Sequence, residues 1–341
     1  MRVFKKVCAF LLVNILTAAL LHFVLTPPAK VGIYLKEMQR DTYSSAVVGQ
    51  SHTTMGIDPY QLDNENGKCF NLSYMQIPVR NLYYSIKEAN SIHHLDRVYF
   101  ELSSFYFCNA NVGKTTGKNI NMFSYLTGKT QLDYFWNCMF QQDYAQALFD
   151  YRFSMKAVKE IPETLREKCT ANYLSAKDWS PTTTDRIAKG DEISAYCGRG
   201  FSYAFAKKEA PYSIVQFSEE DIDAESLEYF YKTVQYCKDN NIELIYFISA
   251  LPPYRLKNEN HDAVHKYFSK LCAEENVRFL DGNYIKQEFM PRSDDDFMDM
   301  DGHMMGYLAE NQTRMFLEIL NSEHPDRYFY ETYEEVLEAS K

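Results

Sequence analysis

Val47-Val48-Gly49-Gln50-Ser51-His52-Thr53-Thr54-Met55-Gly56-Ile57-Asp58-Pro59 is the stretch on which the fold turns. The apolar run Ala46-Val47-Val48 ends at a glycine, and Ser51 follows directly after Gln50. That pattern reads as a short buried strand running into a tight turn. It sets Ser51 at the carboxyl end of a first strand, where open α/β sheets hold their ligands. A helix or turn starting there offers backbone N–H groups to an anion. A serine that only caps a helix has the same local pattern, so this stretch alone leaves catalysis open.

Outward from it, short apolar runs alternate with helical periods. Cys69-Phe70-Asn71-Leu72 reads as a second strand, followed by a helix over Pro78–Ser91. Arg97–Leu102 is a third strand, Ile242–Ile248 a fourth and Val277–Leu280 a fifth. Helices are expected over about Glu219–Asn240, Asp262–Glu275 and Gly306–Asn321. Strands alternating with helices predict a parallel sheet covered on both faces. The expected fold is therefore α/β, a flavodoxin-like doubly wound sheet of about five parallel strands. The stretch over about 105–215 breaks the rhythm. It is rich in Tyr, Phe and Lys and helical in parts such as Tyr144–Glu167, so it reads as a large, mostly helical insertion between the third and fourth strands.

Composition bounds the function. Hydrophobic residues make up 46% and charged residues 24% of the 341 positions, globular values rather than disordered ones. The net charge of -10, with no basic stripe, argues against a nucleic-acid partner. Arg2, Lys5 and Lys6 precede an apolar run, Cys8–Leu25, of about 18 residues, near the shortest length that crosses a bilayer. No small-residue cleavage site follows it. The expectation is an uncleaved anchor over residues 1–30, its basic end in the cytoplasm, with residues 31–341 outside the cell membrane. The eight cysteines show no zinc spacing, so no metal and no cofactor is expected; they read as isolated thiols or as one or two disulfides.

A second segment, Asp299-Met300-Asp301-Gly302-His303-Met304-Met305-Gly306, lies between the fifth strand and the last helix. In a doubly wound sheet that loop opens on the same edge as Ser51. A histidine there, backed by a carboxylate, can take the serine proton while the carboxylate fixes its tautomer. A calcium loop fails on spacing, with Phe297 and Leu308 at positions that should be ligands. His52 reads as packing beside Ser51, and His93-His94 as the end of a helix.

Together, Gly-x-Ser-His with Gly-Ile-Asp-Pro, then Phe70-Asn71-Leu72-Ser73, then the late Asp-x-His resemble the SGNH/GDSL hydrolase superfamily. The likeness is to the bacterial cell-surface branch of DltD-like and polysaccharide O-acetyltransferase-like proteins. It covers about Ser44–Phe105 and Asn240–Asn321. The resemblance implies Ser51 as nucleophile and His303 as base. The family's usual acid position, three residues before the histidine, holds Met300, which makes Asp301 the expected acid and Asp299 the alternative. The family's oxyanion glycine and asparagine are missing, and the Ser51 N–H, Ser73 N–H and Asn71 stand as candidates. The implied activity is a serine esterase or acyltransferase working through an acyl-serine on a cell-surface polysaccharide or teichoic-acid-like polymer. A membrane-bound O-acyltransferase is the implied partner. The alternative is a non-catalytic, membrane-tethered scaffold for such an acyltransferase.

Overall fold

The structure, a computed structural model, describes residues 2–25, 30–75, 77–108, 122–123, 125–139, 155–169, 193–208 and 212–340. The chain divides into two compact units: Met1–Ile33 with Thr116–Trp179, and Tyr34–Thr115 with Ser180–Lys341. This partition differs from a break at residue 30. Part of the stretch 105–215 groups with the N-terminal helix Arg2–Leu25, against which helix Met155–Lys168 packs.

In the first unit, the segment Val3–Leu25 is one helix long and apolar enough to cross a membrane. Phe4, Phe10, Leu11, Val13, Ile15, Leu16 and Leu20 are all exposed along it.

The second unit is α/β around a parallel five-stranded sheet. Its strands are β1 (Tyr43–Val48), β2 (Lys68–Asn71), β3 (Arg97–Glu101), β6 (Glu243–Ile248) and β7 (Arg278–Asp281), ordered β2-β1-β3-β6-β7. Every pairing in it is parallel. The chain thus reverses its direction of travel across the sheet between β1 and β3, the switch point at which doubly wound sheets open a crevice.

Alternation along the strands separates two apolar layers. Val47, Tyr99, Ile245, Phe247 and Leu280 share one core with Leu308, Met315, Phe316 and Ile319 of helix Gly306–Asn321. On the other face Tyr246 stacks on Phe230 of helix Ala224–Asp239 at 4.7 Å and meets Phe100 edge-on at 5.3 Å. Helix Val79–Ile92 lies beside Ala224–Asp239, joined to it by Arg80 and Glu225 at 2.6 Å. Cys69, Cys237 and Cys272 are buried thiols within this unit.

Part of the stretch 105–215 lies outside the described residues, including 144–154 of the expected helix Tyr144–Glu167. Its described part is not helical throughout. An antiparallel hairpin, β4 (Ser194–Gly198) and β5 (Phe201–Ala204), occupies its end. Gly198, Arg199 and Gly200 all take positive φ, as a tight turn requires. The turn docks on the edge strand, where the Asn71 N–H donates to the Arg199 carbonyl at 2.9 Å.

Candidate active site

The strands deliver their ends to one edge. Ser51 opens a short helix, Ser51–Gly56, immediately after β1. Gly49 makes the turn possible: a Cβ there would meet Thr53 Oγ1 at 2.1 Å and Glu101 Oε2 at 2.7 Å. Gly49→Ala should therefore destabilise the unit by about 1–3 kcal/mol through overpacking. Urea unfolding followed by near-UV circular dichroism would measure it; an unchanged midpoint would contradict the packing described.

The helix bearing Ser51 is tied to helix Gly306–Asn321 by buried amides. Gln312 Nε2 donates to the Gly56 carbonyl at 3.0 Å, and the Ala250 N–H, after β6, donates to Gln312 Oε1 at 2.8 Å. The Asp58 N–H donates to Thr313 Oγ1 at 2.9 Å. These bonds hold the start of helix Gly306–Asn321, and the loop preceding it, beside Ser51. Ser51 and His303, distant in sequence, line one cavity of about 360 Å³ together with Gln50, His52, Glu101, Ser249, Arg255 and Asp301. Met75, Phe105 and Val215 form an exposed apolar rim.

Within the loop, Asp299 rather than Asp301 meets the His303 ring. His303 Nδ1 lies 3.0 and 2.9 Å from the two Asp299 oxygens. The Asp299 carboxylate also accepts the backbone N–H groups of Gly302 and His303, each at 3.2 Å. Gly302 has φ +105, so the chain turns back on itself there, and the Met298 N–H closes the turn on the His303 carbonyl at 2.7 Å. Asp299 and His303 thus sit together at the base of the turn, and Asp301 at its half-exposed tip. Burial works to raise the Asp299 carboxyl, but the hydrogen bonds and charge of His303 outweigh it and hold it below its ordinary value. A carboxylate on Nδ1 fixes the tautomer and leaves Nε2 as the nitrogen able to take a proton.

Asp301 faces a different histidine. Its Oδ2 lies 3.7 Å from His52 Nε2, too far for a hydrogen bond. The His52 imidazole holds the Asp301 carboxyl well below the carboxylate range. Burial works to lower His52, yet Asp301 and then Glu101 outweigh it and raise it. The two imidazoles, His52 and His303, are 4.8 Å apart between ring centres. The packing role expected of His52 is thus too small a description.

The oxyanion candidates need correcting. Asn71 Nδ2 donates to the carbonyls of Thr53 at 2.9 Å and Ile57 at 3.2 Å, holding the helix of Ser51. The Ser73 N–H donates to Asn71 Oδ1 at 3.0 Å. Both donors are committed inside the core, and neither residue lines the cavity. Of the three candidates the Ser51 N–H remains, at the first turn of its helix where N–H groups lack intrahelical acceptors. Glu101, at the end of β3, is buried and accepts the Gln50 N–H at 2.9 Å and the Tyr106 hydroxyl at 3.1 Å. Sequence reading passed over Glu101, although its place at a strand's carboxyl end was a usable signal.

Compared with protein-family models and with curated proteins, the sequence matches none.

Proposed function

We propose that the chain is a serine esterase or O-acyltransferase of SGNH type, with residues 105–215 inserted in its core and an N-terminal anchor holding it to the cell membrane. One observation carries this reading: Ser51 shares a cavity with His303, whose Nδ1 is held by Asp299 at 2.9–3.0 Å. In the reaction, the Ser51 oxygen attacks an ester carbonyl as His303 Nε2 takes its proton. The leaving alkoxide receives that proton, and an acyl-serine remains. His303 then draws a proton from water or from a polymer hydroxyl, whose oxygen attacks the acyl carbonyl; the Ser51 oxygen leaves and takes that proton back from His303. Water makes the protein an esterase; a hydroxyl of a cell-surface polysaccharide or teichoic-acid-like polymer makes it a transferase, with a membrane-bound O-acyltransferase as the partner supplying acyl groups. Turnover of p-nitrophenyl acetate by the detergent-solubilised chain, lost in Ser51→Ala, tests the chemistry; equal turnover in both would contradict it.

The basic flank Arg2, Lys5 and Lys6 supports an orientation with the amino end inside and the sheet-bearing unit outside. Protease added to intact cells should then digest that unit. Protection until the cells are lysed would reverse the topology.

One observation favours a second reading. Glu101 brings a carboxylate to the cavity at the strand end where the resemblance expects an oxyanion donor, and Asn71 and Ser73 are committed elsewhere. Each missing donor costs about 3–4 kcal/mol of transition-state stabilisation. A non-catalytic scaffold for a polysaccharide-modifying acyltransferase would tolerate that loss. In that case wild type and Ser51→Ala would be equally inert toward activated esters.

A further inference from the structure

We infer that His52, Asp301 and His303 form a binding site for a divalent first-row transition metal, one that competes with catalysis at Ser51. The metal site stands on the spacing, burial and charge of its residues; its inhibitory role rests on the reading of His303 as the base. One ligand atom from each of the three residues lies within 4.8 Å of the other two. In a tetrahedral zinc site with bonds of about 2.0–2.2 Å, neighbouring ligand atoms are about 3.3–3.6 Å apart. His52 Nε2 and Asp301 Oδ2, at 3.7 Å, are already close to that spacing. Asp301 is half-exposed at the tip of its turn, so a change of rotamer can close the remainder.

Three further features point to a cation. His52 Nε2 is buried and has no hydrogen-bond partner, an arrangement that costs free energy unless something else occupies the nitrogen. His303 is oriented as metal-binding histidines are, with its other ring nitrogen held by a carboxylate, Asp299. Two further carboxylates adjoin the site, Glu101 in the cavity and Asp299 behind His303; Arg255, which lines the same cavity, is paired with Glu259 at 3.0 Å and donates to the Asp301 backbone carbonyl. A second histidine–carboxylate cluster among the described residues is closed by comparison. Asp281 Oδ2 is shared by His261 at 3.0 Å and His265 at 2.9 Å, and Asn283 occupies its Oδ1 at 2.9 Å.

Two imidazoles and a carboxylate suit zinc and its neighbours rather than calcium or magnesium. A metal on His303 Nε2 takes the lone pair that would receive the Ser51 proton. Occupancy and acyl transfer are then mutually exclusive, and the metal acts as an inhibitor.

Calorimetric titration of the detergent-solubilised full chain with Zn2+ tests the site. Wild type and Ser51→Ala should bind alike. His52→Asn and Asp301→Asn should each weaken binding by about tenfold or more, as should Asp299→Asn, which loosens His303. The cysteines are common to all these proteins, so thiol binding cancels in the comparison. Undetectable binding, or equal binding in wild type and in the His52 and Asp301 variants, would overturn the site. In parallel, Zn2+ should suppress fluorophosphonate labelling of wild type in proportion to occupancy; labelling indifferent to bound zinc would overturn the competition. If zinc binds with the stated residue dependence but Ser51 never labels, the metal site stands and the serine-hydrolase reading fails.

Discussion

Asp299→Asn should cut turnover of an activated ester by about 10⁴-fold, and Asp301→Asn by far less. The difference follows from which carboxylate meets the ring. Asp299 holds His303 Nδ1 at 2.9 Å and is itself fixed by two backbone N–H groups. An amide in its place can donate to Nδ1, which moves the ring proton to Nε2 and removes the base. Asp301 sits 3.7 Å from His52 instead, so its loss leaves the tautomer of His303 intact. Comparison of kcat for the two variants measures this. Equal losses, or the greater loss in Asp301→Asn, would contradict the assignment.

Ser51→Ala and His303→Ala should each lower turnover on the order of 10⁵–10⁶-fold, and the double variant should lose no more than either alone. A nucleophile without its base, or a base without its nucleophile, cannot carry the step, so the second deletion removes nothing further. Additive losses would mean that the two residues act independently. Neither change should unfold the protein, because both side chains line a cavity rather than fill the core. Unchanged near-UV spectra would verify that.

The sheet was legible in the sequence because its strands are continuous apolar runs and its helices have clean apolar periods. Arg97–Leu102, Ile242–Ile248 and Gly306–Asn321 were placed within a residue or so of the observed β3, β6 and the helix that follows the His303 loop. Once the order of elements was set, the placing of Ser51 and His303 on one cavity followed from topology. The choice between Asp299 and Asp301 did not, since it depends on a turn whose conformation hinges on Gly302 at φ +105. The fate of Asn71 was equally hidden. Its partners, Thr53 and Ile57, are neighbours only after β1 and β2 pair. The hairpin β4–β5 did leave a signal: Gly198-Arg199-Gly200 stands between the residues of two short strands. It was submerged in a stretch whose other segments suggested helix. His52 read as packing because a histidine beside a serine carries no spacing signal; Asp301 comes within reach of it only in the fold.

The central claim is that Ser51 is a nucleophile activated by His303, and labelling with a fluorophosphonate tests it most directly. The probe needs only an activated hydroxyl, so neither the acyl donor nor the acceptor has to be known. After exposure, intact-mass measurement of the solubilised chain followed by peptide mapping should find a single adduct on Ser51, absent from Ser51→Ala and nearly absent from His303→Ala. No adduct on wild type, or one on Ser51 that forms equally fast in His303→Ala, would contradict the account.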